Sequence, residues 1–337
     1  MRLAELVAAL SLGVDLGFGQ PMEHVLRQCL IALRLADRIG LDEEQRSVVY
    51  YTALLVNVGC HSDAHEQAKW FGDDIALKSG KYDYEFRSLR AAVASLRLVG
   101  SGNPPLRRFR VGLELALSGR REFDGMIAQH AALARALAEQ LGLSGAVQDA
   151  VGSAYEQWDG RGWPGKLAGE DVPIASRLAQ LAEFVEVAHR IGGVGAATAL
   201  ADKRAGTQFD PSLAATLHAD ADAVLGGLDS TRTWEAVIGA EPALGVHLTG
   251  DGFDRALVAI ADFVDLKSRT PSGTRVPLRN SLARPAGSSV SGLGRWRCCT
   301  GPALSTTSGV SACRTPSGTS TGRSAAASGS ASGCTRT

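Results

Sequence analysis

Apolar residues along the first 268 positions recur three and four apart, the spacing of one face of an α-helix, and no run alternates as a strand would. Residues 21–39 read as a helix, with Pro21 near its start and Leu26, Cys29, Leu30, Leu33 and Ala36 on one stripe. Gly40 stops it, and Leu41-Asp42-Glu43-Glu44 opens another that runs into Ala53-Leu54-Leu55-Val56-Asn57-Val58-Gly59. Gly102, Pro104 and Pro105 mark a loop. Residues 121–141 form a strong helix with Phe123, Ile127, Ala131, Ala134, Leu137 and Leu141 on one side and His130 beside the stripe. Pro173 opens a long apolar-rich helix, a good first-turn position for a residue without an N–H. Helices continue after Asp210-Pro211 as far as Ser268. The pattern predicts an all-α body.

Composition narrows the setting. The whole chain has no net charge, but residues 270–337 hold eight Arg and no Asp, Glu, Lys or His. The first 269 residues therefore carry 35 acidic and 27 basic side chains, a net of −8, which leaves no nucleic-acid footprint. No apolar run reaches the roughly 18 residues of a membrane span. Residues 1–15 read as an amphipathic helix rather than a signal peptide, because Glu5 and Asp15 interrupt the apolar stretch. Only Cys29 and Cys60 lie in the body, which points to a reducing, cytoplasmic setting without a disulfide framework.

The most informative stretch is Ala154-Tyr155-Glu156-Gln157-Trp158-Asp159-Gly160-Arg161-Gly162-Trp163-Pro164, which joins two helices. Asp-Gly and Gly-Trp-Pro are turn chemistry, since Gly supplies positive φ and Pro fixes φ. The loop resembles the HHExxDGxGYP signature of the HD-GYP family. Glu156, Asp159, Gly160, Gly162 and Pro164 match, and Trp163 stands in place of Tyr. The following GLxGExIPxxARI block is matched by Leu167, Gly169, Glu170, Pro173, Ile174 and Arg177, and Gly206 to Pro211 reads as the family's GTQFDP. The resemblance implies an HD-domain-like helical bundle that hydrolyses cyclic dinucleotides with two or three bound metals.

The ligand positions depart from that pattern. His24 falls on the family's first metal-binding His, His130 on a later one and Glu183 on the Asp of ADxxDA. The His-Asp pair is replaced by Val56-Asn57 and the His-His pair by Ala154-Tyr155. His130 reads equally as a core histidine. Glu183 shares a helical face with Ser176, Gln180 and Arg190, a face that lines a polar cavity or meets water. Cys60-His61-Ser62-Asp63-Ala64-His65-Glu66 is rich in ligand types but reads more simply as a capped polar helix start. Losing several metal ligands is expected to remove a binuclear site, while the fold can survive.

The expected function is a regulatory or dimerising module without catalysis and without a cofactor. The alternatives are a cyclic di-GMP phosphodiesterase using Fe or Mn, and a sensor that binds a nucleotide without cleaving it. Partners that fit are a second copy of the chain and a cyclic dinucleotide. Asp159 is expected to serve the turn structurally. Proteins resembling this one often end in a LuxR-type helix-turn-helix, and no such helix pair is present in this sequence.

Beyond Ser268 the composition changes abruptly. Residues 270–337 hold 14 Ser, 10 Gly and four Cys, and only eight sizeable apolar side chains without period. Burying eight such side chains, at roughly 1.5–3 kcal/mol each, does not offset ordering costs of roughly 1–2 kcal/mol per residue, so a disordered tail is expected. Read one nucleotide over, codons for Thr270 to Val276 permit YTLGHSR and those for Ala303 to Val310 permit GLVHDLGR, both landmarks of a second HD-GYP domain. The expected organisation is a degenerate HD-GYP-like domain at 1–228, a helical connector at 229–268 and a frameshifted tail at 270–337.

Overall fold

The computed structural model describes residues 1–17, 19–61, 82, 104–242 and 247–265. Its helices, in chain order, are α1 (Leu3–Gly17), α2 (His24–Arg38), α3 (Glu43–Leu55), α4 (Pro105–Gln140), α5 (Gly145–Gly152), α6 (Ile174–Arg204), α7 (Pro211–Ala219), α8 (Ala221–Leu225), α9 (Thr233–Gly239) and α10 (Asp251–Asp265). Short 3-10 turns cover Val58–His61, Gly169–Asp171 and Leu228–Ser230. Among the described residues the only extended pairings are two isolated bridges, Arg2 with His247 and Ala205 with Phe209. The chain is all-α, as its hydrophobic spacing predicts.

Helix α2 is the centre of this arrangement. It packs on α1, α3, α6 and α9, so its apolar stripe widens until Val25, Leu26, Cys29, Ile31, Leu35 and Ala36 are all buried. Its start lies three residues later than the spacing suggested, because Pro21 to Glu23 form a turn and Glu23 takes a left-handed φ of 75°. Glu23 gives no side-chain cap; Asp15 of α1 supplies it instead, accepting from the Val25 N–H at 3.1 Å. Helix α3 starts with a full capping box between Asp42 and Gln45. Arg34 projects from α2 onto the carbonyls of Val224 and Gly226 and so terminates α8.

The helix expected at 121–141 reaches back to Pro105. Pro105 occupies the first helical turn, where its missing N–H costs nothing, so it opens the helix instead of belonging to the loop. Gly112 and Gly119, poor helix formers, weaken the helical pattern over these earlier turns. Helix α6 bends at Gly192 and Gly193, the latter at φ 69°. All described residues belong to one unit, Met1–Ala283. Within it α9 and α10 add Val237, Ile238, Ala256, Ala259 and Phe263 to the same apolar cluster as the preceding helices. The tail expected to be disordered and the ligand-rich stretch from Ser62 to Glu66 lie outside the described residues.

Candidate functional site

The signature loop is the longest irregular stretch among the described residues, and its side chains are used to close it. Glu156, 3% exposed, accepts from the N–H groups of Gly165 and Lys166, both at 2.9 Å. Gly162 lies so close to the chain before it that a Cβ would sit 2.4 Å from the Gln157 nitrogen and 2.5 Å from the Tyr155 oxygen. Gly160 takes φ 72°. Asp159 accepts from the Arg161 N–H at 2.9 Å, an Asx-type turn. Trp163 donates its indole N–H to Asp124 of α4 at 2.7 Å and its backbone N–H to Tyr155. The Trp163–Pro164 peptide is cis.

Three sequence blocks far apart in the chain meet here. Trp158 and Asp159 donate backbone N–H groups to Gln208 and Thr207. Arg177 pairs with buried Asp210 at 2.5 Å, donates to the Val172 carbonyl and lies over the Trp158 ring. Asp210 also caps α7 through the Ser212 N–H and hydroxyl. These contacts hold the loop, the start of α6 and the GTQFDP turn as one piece.

The ligand positions sit below that loop. His24, at the start of α2, is 1% exposed, and its Nδ1 is 2.5 Å from Glu186 Oε2. The other oxygen of Glu186 lies 3.2 Å from Arg27 and 3.5 Å from Arg190. Arg27 continues outward to Asp229 at 2.7 Å. Burial alone would push the Glu186 carboxyl up, but the His24 hydrogen bond and the charges of His24, Arg190 and Arg27 hold it below the usual carboxylate range. Glu183, one turn earlier on α6, accepts from the Tyr82 hydroxyl at 2.9 Å, and that hydroxyl is 3.4 Å from His24 Nε2. The face of α6 bearing Ser176, Gln180 and Glu183 is buried, not wet; Ser176 donates to the Ala150 carbonyl and Gln180 to those of Ala154 and Glu156.

Val56 and Asn57 are both buried, and the Asn57 amide donates to Gln28, itself bonded to the Ala53 carbonyl. His130, on α4, is 2% exposed with the Tyr155 ring 6.1 Å away. Its backbone touches the 58–61 turn, where a Cβ on Gly59 would fall 2.3 Å from the His130 oxygen. His24 and Glu183 are thus brought together through Tyr82. Among the described residues no three His, Cys, Asp or Glu gather as a metal centre. Among the described residues the donors do not fit the two or three metals that the HD-GYP resemblance implies. His24 already contacts Glu186 and Tyr82, and Val56, Ala154 and Tyr155 offer no equivalent ligand. Sequence reading missed Glu186, Arg27 and Tyr82. The three-residue spacing of Glu183 and Glu186 on one helix was the available signal for the first; nothing local marked the others.

Residues 121–213 match the family model described as HD domain. The chain is 26% identical over 275 residues to the 3'3'-cGAMP-specific phosphodiesterase 3 of Vibrio cholerae, an alignment covering 80% of this chain and 60% of that protein. A solved structure of a cyclic GMP-AMP specific phosphodiesterase from V. cholerae superposes with a TM-score of 0.62 at 24% identity, over 81% of this chain and 62% of the other, and shares its fold. The chain therefore spans about 60% of the length of the relatives it matches. No described helix is long and apolar enough to cross a membrane. The matched HD domain, the all-α fold and the three signature blocks together support a relationship to the HD-domain phosphohydrolases.

Proposed function

We propose that residues 1–228 form a degenerate HD-GYP-like domain that regulates or dimerises in the cytoplasm without hydrolysing a substrate itself. The observation that carries this reading is the state of the ligand positions. His24 is held between Glu186 and Tyr82, Glu183 is bonded to Tyr82, and Val56-Asn57 and Ala154-Tyr155 fill the paired positions. Family members are metal-dependent, and hydrolysis needs an activated water at an open metal position. The same residues instead tie α2 to α6, which suits a domain retained for its shape.

The relative named for 3'3'-cGAMP makes a cyclic dinucleotide the ligand to try first. Purified full-length protein, supplied with Mn2+ or Fe2+, is expected to leave 3'3'-cGAMP and cyclic di-GMP intact by chromatography. Cleavage would restore the phosphodiesterase reading. Saturable binding without cleavage, seen by calorimetry, would make the domain a sensor. We further propose that 229–268 connects to a second HD domain whose coding sequence continues out of frame after Ser268. Reading the nucleotide sequence one position over tests this: absence of YTLGHSR and GLVHDLGR removes the idea.

A further inference from the structure

One face of α4 is apolar toward both ends of the helix, but the two ends differ in what covers it. Toward the C-terminus Ile127, Ala131, Ala134 and Ala138 lie on that face and are buried in the body. At 3.6 residues per turn the same stripe runs back through Leu117, Leu113, Phe109 and Leu106, which share about 80° of the helix surface. There the side chains are 81%, 52%, 71% and 83% exposed. Four of the ten large apolar side chains exposed among the described residues thus fall on one stripe of twelve residues. Scattered apolar side chains on a surface need no explanation, whereas a contiguous stripe marks a contact.

We propose that this stripe is the contact between two copies of the chain, their α4 helices lying antiparallel across a two-fold axis near residues 111 and 112. The proposal rests on the dimerising reading above and gives it a surface. A two-fold contact must be self-complementary. With the axis there, Leu106 meets the partner's Leu117 and Phe109 meets the partner's Leu113, each pairing occurring twice. Arg110 and Glu114, both exposed, sit one turn apart on the same flank of the stripe. The axis therefore sets Arg110 beside the partner's Glu114, and Glu114 beside the partner's Arg110. The stripe is about 17 Å long, and helices packed along it lie about 8–10 Å apart. An interface of that size falls at the low end of the roughly 1,200–2,000 Å² buried in stable complexes, so association at about micromolar concentrations is expected. An anionic membrane fits the stripe less well, because Glu114 borders it and the first 269 residues carry a net charge of −8.

Analytical ultracentrifugation of the full chain between about 1 and 100 μM tests this. Wild type is expected to pass from monomer to dimer in that range. Leu113→Asp is expected to weaken association at least about tenfold, with helical content by circular dichroism unchanged because the side chain is exposed. Arg110→Glu and Glu114→Arg are each expected to weaken it about threefold, and the double variant to restore it. Should Leu113→Asp fold poorly, this charge exchange still decides. A double variant that does not recover overturns the antiparallel pairing. A dimer that none of these changes weakens overturns this surface but leaves the dimerising reading standing. A chain that stays monomeric throughout removes both, and monomers retained on anionic vesicles would assign the stripe to lipid. The non-catalytic reading is judged separately, by the cleavage assay above.

Discussion

Asp15 shows what one buried residue does for the whole core. Its side chain caps α2 from the neighbouring helix, at 0% exposure, with one oxygen on Val25 N–H and the other without a partner. Burial pushes its carboxyl up to about 6, against the His24 charge and the N–H bonds of Val25 and Glu23, which pull it down. An unfolded Asp titrates near 3.9, so between about pH 4 and 6 the folded chain binds more protons than the unfolded one. Its contribution to stability therefore falls as pH rises through that window and stays low above it. Asn at this position keeps the carbonyl cap and never ionises. The stability of Asp15→Asn relative to wild type is expected to rise by up to about 3 kcal/mol between pH 4 and pH 7, read from denaturant midpoints; a pH-independent difference would refute the assignment. Nothing in the sequence marked Asp15 beyond its interruption of an apolar stretch, because its partner lies on another helix.

At the scale of elements, the structure rests on turns as much as on stripes. The helices were legible because burial on one face forces a period near 3.6, and the loop was legible because Asp159, Gly160 and Gly162 can each do only a few things in a backbone. What the sequence could not convey was which segments meet. Arg177 and Asp210 are distant in the chain, and their pairing turns two signature blocks into a clamp. Arg177→Met and Asp210→Asn should each lower stability by about 2–4 kcal/mol, because each leaves a buried or half-buried charge unmatched. The double variant should cost less than the sum of the singles, and strict additivity in a double-mutant cycle would show that the pair is not coupled. Gly162→Ala is a sharper case. Its Cβ meets backbone atoms that cannot swing aside, so a loss of at least about 2 kcal/mol is expected. An unchanged Tm in Gly162→Ala would place the loop differently.

For the molecule as a whole, the helical fold is one matter and the proposed loss of its metal site another. The helices, the loop and the GTQFDP turn keep their mutual contacts, while His24 and Glu183 are joined by an ion-paired and hydrogen-bonded network that uses Arg27, Glu186 and Tyr82. The departures at Val56-Asn57 and Ala154-Tyr155 were readable as residue types, because an apolar side chain cannot replace a ligand. The network around His24 was not, since it depends on α2, α6 and Tyr82 meeting at one point. The central claim, that this domain holds no catalytic metal, is tested most directly by elemental analysis of the full-length protein purified from cells grown with Fe and Mn. The account predicts well below one equivalent of either metal per chain, unchanged in His24→Ala. One or more equivalents, lost in His24→Ala or His130→Ala, would contradict it.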